Sequence, residues 1–390
     1  MMAWRRWYPI VGSIGTVATI AGCAAIHHPP ATVASIAAEA PAIRAVERAT
    51  VDTIVARLAR RILARGDHQL DILLLSGGGQ NGAYGAGFLR GWRSRPSGAM
   101  PRFDLVTGIS TGALQAPFAL LGTAAALDTL SSLYRRGANR VAPTVDPFFW
   151  LRRTGGVLKI GRYRETIAQV FDMHMAAALR RLFDEDRQLA IGSTDFDLGI
   201  TRSWDVATEL AHGGPERFHV LLLASTAVPT LFPPVIIDGH VHADGGVISN
   251  LLPVLGLDEY RSLAARLAMA VAGGTPSVTV RLWVIMNLLT EPRPIVTDPA
   301  SRGAIGARTE TLLFTGQQPQ LLNRLGELAR AVSSDVPGLR LELHVTFIPP
   351  FLANDPGANA LFDRDWMIRL EQIGYDRARG SSPWDRISPP

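Results

Sequence analysis

The chain of 390 residues has one cysteine, Cys23, and one lysine, Lys159. A lone cysteine closes no internal disulfide, so packing has to hold the fold. Runs of basic residues are missing as well. The formal net charge of +5 comes from scattered arginines that form only short pairs, whereas a nucleic-acid partner calls for cations gathered on one patch or helix face. Internal repeats, low-complexity tracts and a composition break between domains are absent. So is any spacing of His, Cys, Asp and Glu that would announce a zinc or calcium site, because Cys23 stands alone and the histidines lack partners at ligand spacing. What remains is 47% hydrophobic and 19% charged, which excludes general disorder and suits one sizeable domain with a large core.

The amino terminus is a separate unit. Arg5 and Arg6 precede a mostly apolar run from Trp7 to Ala21. It is shorter than the roughly 20 residues that a membrane-spanning helix needs, so residues 1–22 read as a signal peptide. The run ends in Ile20-Ala21-Gly22-Cys23, which resembles a bacterial lipobox and makes Cys23 the lipidated first residue of the mature chain. A plain secretory signal followed by a chance cysteine is the rival reading. Acyl chains on Cys23 would tie the protein to a membrane surface without a transmembrane helix. Ala24 and Ala25, with no aspartate after the cysteine, lean by analogy toward the bacterial outer membrane, facing the periplasm. Residues 23–40 are small, Pro-containing and poor in charge, as a tether would be, which leaves 41–390 for the folded body.

Ile43, Val46, Ile54, Leu58 and Ile62 recur near helical spacing up to Gly66, which predicts a long amphipathic helix packed on the body. Ile72-Leu73-Leu74-Leu75 is a continuous apolar run closed by Gly77-Gly78-Gly79. A second strand-like run, Phe103 to Thr107, leads into Gly108 to Gly112 and a helical stretch to Leu121. Strand, glycine turn and helix, twice over, with further strands at 281–286 and 341–347, predict an α/β fold with a mostly parallel sheet in three layers.

Gly108-Ile109-Ser110-Thr111-Gly112 matches G-x-S-x-G in the strand-to-helix context that this motif's chemistry demands. Ser110 would sit on a sharp turn. Gly108 and Gly112 give room for strand and helix to approach, and the helix N-terminus aims free N–H groups at the reacting centre, which is the setting of a nucleophile. Gly77-Gly78-Gly79-Gln80-Asn81-Gly82 opens the helix that follows the first strand. Glycine turns of this kind bind phosphate, but no Gly-Lys-Ser/Thr follows and no acidic residue stands on a second strand tip, so no cofactor is expected. The amides of Gly77, Gly78 and Gly79 are better read as an oxyanion hole. Asp238-Gly239 signals a type I′ hairpin, whose returning strand ends at Asp244-Gly245-Gly246. Alone, that ending reads as a structural turn.

In order along the chain, a Gly-rich loop, G-x-S-x-G, Ala224-Ser225-Thr226-Ala227-Val228-Pro229 and Asp244-Gly245-Gly246 resemble the patatin-like phospholipase family. The resemblance covers about residues 71–253, with a tail helix near 367–379. It implies a three-layer α/β/α fold with a central, mainly parallel sheet, and a Ser–Asp dyad that works without histidine. Carried onto this chain, Ser110 attacks an ester of a membrane lipid, Asp244 takes its proton, Gly77, Gly78 and Gly79 hold the oxyanion, and water hydrolyses the acyl-enzyme. The family's loop commonly has Arg or Lys where this chain has Asn81. That departure weakens the case for phosphate attraction and leaves ester hydrolysis as the expectation.

Other readings stay open. An α/β-hydrolase esterase orders Ser, Asp and His along the chain and could draw on His344, although that residue sits in the apolar stretch Leu341 to Phe347, where packing is its plainer role. His240 and His242 alternate onto the strand face of Asp244; they could assist the dyad, and solvent-facing hairpin positions are the plainer expectation. A non-catalytic lipid-binding envelope lipoprotein would need neither Ser110 nor Asp244. Finally, Phe148-Phe149-Trp150-Leu151 before Arg152-Arg153 has the order of an interfacial anchor, with burial in the core the simpler expectation.

Overall fold

Thr32 starts the first helix, α1 (Val33–Arg65), by accepting the Ser35 amide on its hydroxyl, and Gly66 ends it in the left-handed conformation. The computed structural model describes residues 25–96, 100–141, 144–271, 276–359 and 362–385, so the expected signal peptide and Cys23 lie outside the described residues. Only the second half of α1 is buried, through Ile54, Val55, Leu58 and Ile62, while Val46 is exposed. The helix also begins inside the segment expected to be a tether. Alanines at 34, 37, 38 and 40 favour helix there, and Glu39 is held 3.1 Å from His240.

The chain continues through β1 (Gln69–Leu75), α2 (Gly82–Arg93), β2 (Leu105–Ile109), α3 (Thr111–Leu121), α4 (Ala124–Val141), β3 (Thr144–Val145), β4 (Leu158–Lys159), α5 (Gly161–Val170) and α6 (Met173–Phe183). Next come β5 (Gln188–Asp195), β6 (Ile200–Asp205), α7 (Val206–Ser225), β7 (Val235–Ile237), β8 (His240–Asp244), α8 (Leu257–Ala270), β9 (Val278–Met286), α9 (Arg302–Thr315), α10 (Gln318–Asp335), β10 (Leu339–Phe347) and α11 (Arg364–Arg379). An 8-stranded sheet runs β10-β9-β1-β2-β5-β8-β7, with β6 on β5. Neighbours from β10 to β5 are parallel; β6, β8 and β7 are antiparallel additions.

β1 is apolar throughout because both faces are covered. Leu73 and Leu75 join a core with Phe88, Phe118 and Phe218 from α2, α3 and α7. Ile72 and Leu74 join another with Leu58, Leu263 and Leu325 from α1, α8 and α10. The result is the expected three-layer α/β/α fold. Its register gathers three sequence-distant segments at one end of the sheet: Leu75 lies opposite Gly108, Ile109 opposite Gly192, and Ser193 opposite Asp244. Consecutive residues of β5 therefore carry the end of β2 and the end of β8.

Candidate active site

Ser110 is the residue between β2 and α3, with φ 54° and ψ −123°. A non-glycine residue held there costs about 1–3 kcal/mol, so its surroundings must enforce the turn. They do so by contact. The Ser110 amide donates to Ser225 Oγ at 3.0 Å, and the Ser110 carbonyl accepts the Ala113 amide at 2.9 Å. A Cβ on Gly112 would stand 2.2 Å from the Leu75 carbonyl oxygen, and one on Gly108 2.4 Å from that of Gly112, so neither position admits a side chain. Gly82 serves the same end, since a Cβ there would lie 2.2 Å from Thr111 Oγ1.

Asp244 ends β8 with its amide on the Ala227 carbonyl at 2.9 Å. Ser225 and Ala227 belong to the Ala-Ser-x-Ala-x-Pro segment, which thus brackets both residues: its serine fixes the Ser110 backbone and its alanine fixes that of Asp244. Asp244 Oδ1 accepts the Gly246 amide at 2.8 Å, while the buried Oδ2 has no hydrogen-bond partner among the described residues. Burial pushes the carboxyl up to about 6, against the Ser110 hydroxyl and the Gly246 amide, which favour the carboxylate. At neutral pH it is ionised, and it is more basic than an ordinary aspartate.

The glycine loop supplies fewer free donors than expected. The Gly77 amide is committed to the Asn250 carbonyl at 3.2 Å, which corrects its place in the oxyanion hole; the Gly78 and Gly79 amides have no backbone acceptor among the described residues. Asn250 and Asn287 hold this loop, and no local pattern marks either. The Asn287 amide donates to Ser76 Oγ at 2.7 Å, its Nδ2 donates to the Ser76 carbonyl at 2.9 Å, and its Oδ1 accepts the Gly85 amide at 3.0 Å. Asn81 turns away to accept Trp366 Nε1 at 2.7 Å, so it ties the loop to α11.

A cavity of about 200 Å³ opens over Ser110, with Gly79 and Thr111 at its polar end and Phe118, Ile167, Phe171, Leu231 and Phe232 among its walls. No charged side chain lines it among the described residues. Tyr134, hydrogen-bonded to Thr111 Oγ1, adds a phenol that burial pushes up and keeps neutral.

The histidines are elsewhere. His240 and His242 are buried rather than solvent-facing: α1 brings Glu39 onto His240, and His242 packs against Trp204 of β6. His240 Nδ1 lies 3.2 Å from Asp195 Oδ2, and His242 Nδ1 lies 3.0 Å from Ser193 Oγ. Neither has a contact with Ser110 or Asp244 among these bonds. Burial drives His242 down to about 4, which keeps it neutral; for His240, burial pulls down but Glu39 and Asp195 outweigh it and raise it. Ligand atoms of Asp195, Asp197 and His240 lie within 4.8 Å of one another and could hold a metal, contrary to the expectation that the histidines lack such partners. The Arg202 guanidinium, 3.6 Å from Asp195 Oδ2, already brings positive charge there. His344 stacks on Trp283 at 4.1 Å, on edge strand β10. That strand is three places from β2, or about 14 Å at ordinary strand spacing.

Phe148, Phe149, Trp150 and Leu151 are exposed, not part of the core. They form the tip of the short β3–β4 hairpin, pinned from below by Asp146, whose carboxylate accepts the Phe148 amide at 3.0 Å.

A mainly parallel α/β/α sheet with a serine on a strained strand-to-helix turn, beside a buried carboxyl and under an apolar cavity, has the build of a hydrolase domain. Residues 73–258 match the family model described as patatin-like phospholipase. Among solved structures it is similar to VipD from Legionella pneumophila, at 12% identity and a TM-score of 0.33, over 80% of this chain and 67% of that one. No curated protein matches the chain.

Proposed function

We propose that the protein hydrolyses carboxylic esters of membrane lipids through Ser110 and Asp244. The observation that carries this reading is the pairing of a strained serine with a buried carboxyl whose pKa is raised to about 6 by burial. Asp244 Oδ2 takes the hydroxyl proton as Ser110 Oγ attacks the ester carbonyl. The developing oxyanion faces the amides of Gly78 and Gly79 and that of Thr111 at the N-terminus of α3, where the helix dipole adds to them. The acyl chain lies in the apolar cavity and the alcohol leaves with a proton returned by Asp244. Water then gives its proton to the same carboxylate and attacks the acyl-enzyme, and Asp244 returns that proton to Ser110 Oγ as the carboxylic acid leaves. With Asn81 turned to Trp366 and no cation on the cavity wall among the described residues, the acyl group supplies the recognition and the headgroup stays outside.

Lipidation at Cys23 would hold this site in the cell envelope, at the outer membrane facing the periplasm, against its substrate. A fluorophosphonate probe tests the nucleophile: it labels the wild type and spares Ser110→Ala. Labelling of a folded Ser110→Ala at the wild-type rate would move the nucleophile elsewhere, and an unlabelled wild type would favour a lipid-binding protein without catalysis.

A further inference from the structure

We infer that the β3–β4 hairpin tip is a membrane-docking element that enters a lipid surface and sets the mouth of the Ser110 cavity against it. This rests in part on the lipid hydrolase reading, but the tip's own build argues for it. Phe148, Phe149, Trp150 and Leu151 are 53%, 44%, 69% and 42% exposed, four consecutive apolar side chains offered to the outside. Isolated exposed apolar residues are ordinary, whereas a contiguous projecting set marks a contact surface.

The display is held from below. Asp146, buried beneath the tip, accepts the Phe148 amide on its carboxylate and the Phe149 amide on its carbonyl at 3.0 Å, and pairs with Arg152 at 3.0 Å. The order of side chains is that of a water–lipid boundary: aromatics at the tip, then exposed Arg152 and Arg153, with Lys159 at the foot. Against these three cations stands the one carboxylate of Asp146, so the element keeps a positive excess for anionic headgroups.

The hairpin is also joined to the cavity. The Val157 and Leu158 amides donate to the carbonyls of Thr230 and Leu231 at 3.0 and 2.9 Å, and Leu231 lines the cavity, as does Ile167 of the helix that follows β4. Seating the tip in a bilayer therefore brings that wall to the lipid. A further contact agrees. The Ile26 amide donates to the Arg153 carbonyl at 3.0 Å, and Ile26 is three residues after Cys23, within about 10 Å at full extension. An acyl group on Cys23 would enter the same leaflet beside the tip, which favours a lipid surface over a protein partner.

The test reports position, so the contribution of residues 1–24 to binding cancels. In the full chain with Cys23→Ser, a fluorophore is attached at Trp150→Cys or, as a control, at Arg340→Cys on edge strand β10. Vesicles of phosphatidylethanolamine and phosphatidylglycerol carry a quencher on their acyl chains. Quenching several-fold stronger at 150 than at 340, weakened by adding Phe149→Ser, is the expected result. Equal quenching at the two sites overturns the proposal and leaves the tip to a protein partner. Because no turnover is read, an inactive protein that still quenches at 150 would sink the hydrolase reading alone. An active one without that quenching would sink the docking element alone.

Discussion

Replacing the proposed base should make the protein more stable and less active, with the balance depending on pH. Asp244 has an ordinary value of 3.8 and is raised by burial to about 6 in the fold. The folded chain therefore holds that proton more tightly than the unfolded chain. Below the unfolded value both states are protonated and nothing is lost. As pH rises toward the folded value, folding increasingly opposes ionisation, and above it stability is lower by roughly 3 kcal/mol. Asp244→Asn keeps an oxygen for the Gly246 amide and never ionises. Its thermal midpoint should lie a few degrees above that of the wild type near pH 7.5 and meet it near about pH 4. Activity runs the other way. Wild-type turnover of a soluble short-chain ester should fall about tenfold from about pH 7 to about pH 5, as the ionised fraction drops from about nine-tenths to about one-tenth, and the asparagine variant should lose about a hundredfold or more throughout. An asparagine variant that is less stable than the wild type at neutral pH, or a wild-type profile flat down to about pH 5, would refute the reasoning.

Other substitutions test the frame around the dyad. Ser225→Ala leaves the buried Ser110 amide without its acceptor; it should cost about 1–3 kcal/mol by urea unfolding and lower kcat more than KM changes. Gly112→Ala places a Cβ 2.2 Å from the Leu75 carbonyl oxygen and should cost at least about 2 kcal/mol, together with fluorophosphonate labelling in the part that still folds. His344→Ala should retain ester hydrolysis, since that ring stacks on Trp283; loss equal to that of Ser110→Ala in a folded protein would point to a Ser–Asp–His triad instead.

Much of this was legible in the chain, and the parts that were not share a cause. The apolar run at 72–75 and the glycine-flanked Ser110 are local patterns, and the structure places them on β1 and at the β2–α3 turn. The approach of Asp244 to Ser110 depends on Gly192 and Ser193 of β5, residues with no signature of their own. Gly77 was lost to Asn250, 173 positions away. His242 resembles the outer face of a hairpin until Trp204 packs on it, and His240 until Glu39, 201 residues earlier, is laid over it. The same long-range contact explains why an alanine-rich segment that fits a flexible tether is helical. Phe148 to Leu151 fail in the opposite direction, since apolar composition argues for a core that the short hairpin cannot reach.

The most direct test of the account is acyl release from phospholipid in mixed micelles, by the wild type and by Ser110→Ala, with folding checked by circular dichroism. Release by the wild type that is abolished in Ser110→Ala is the predicted result. Undiminished release by a folded Ser110→Ala, or none from a folded wild type, would contradict it.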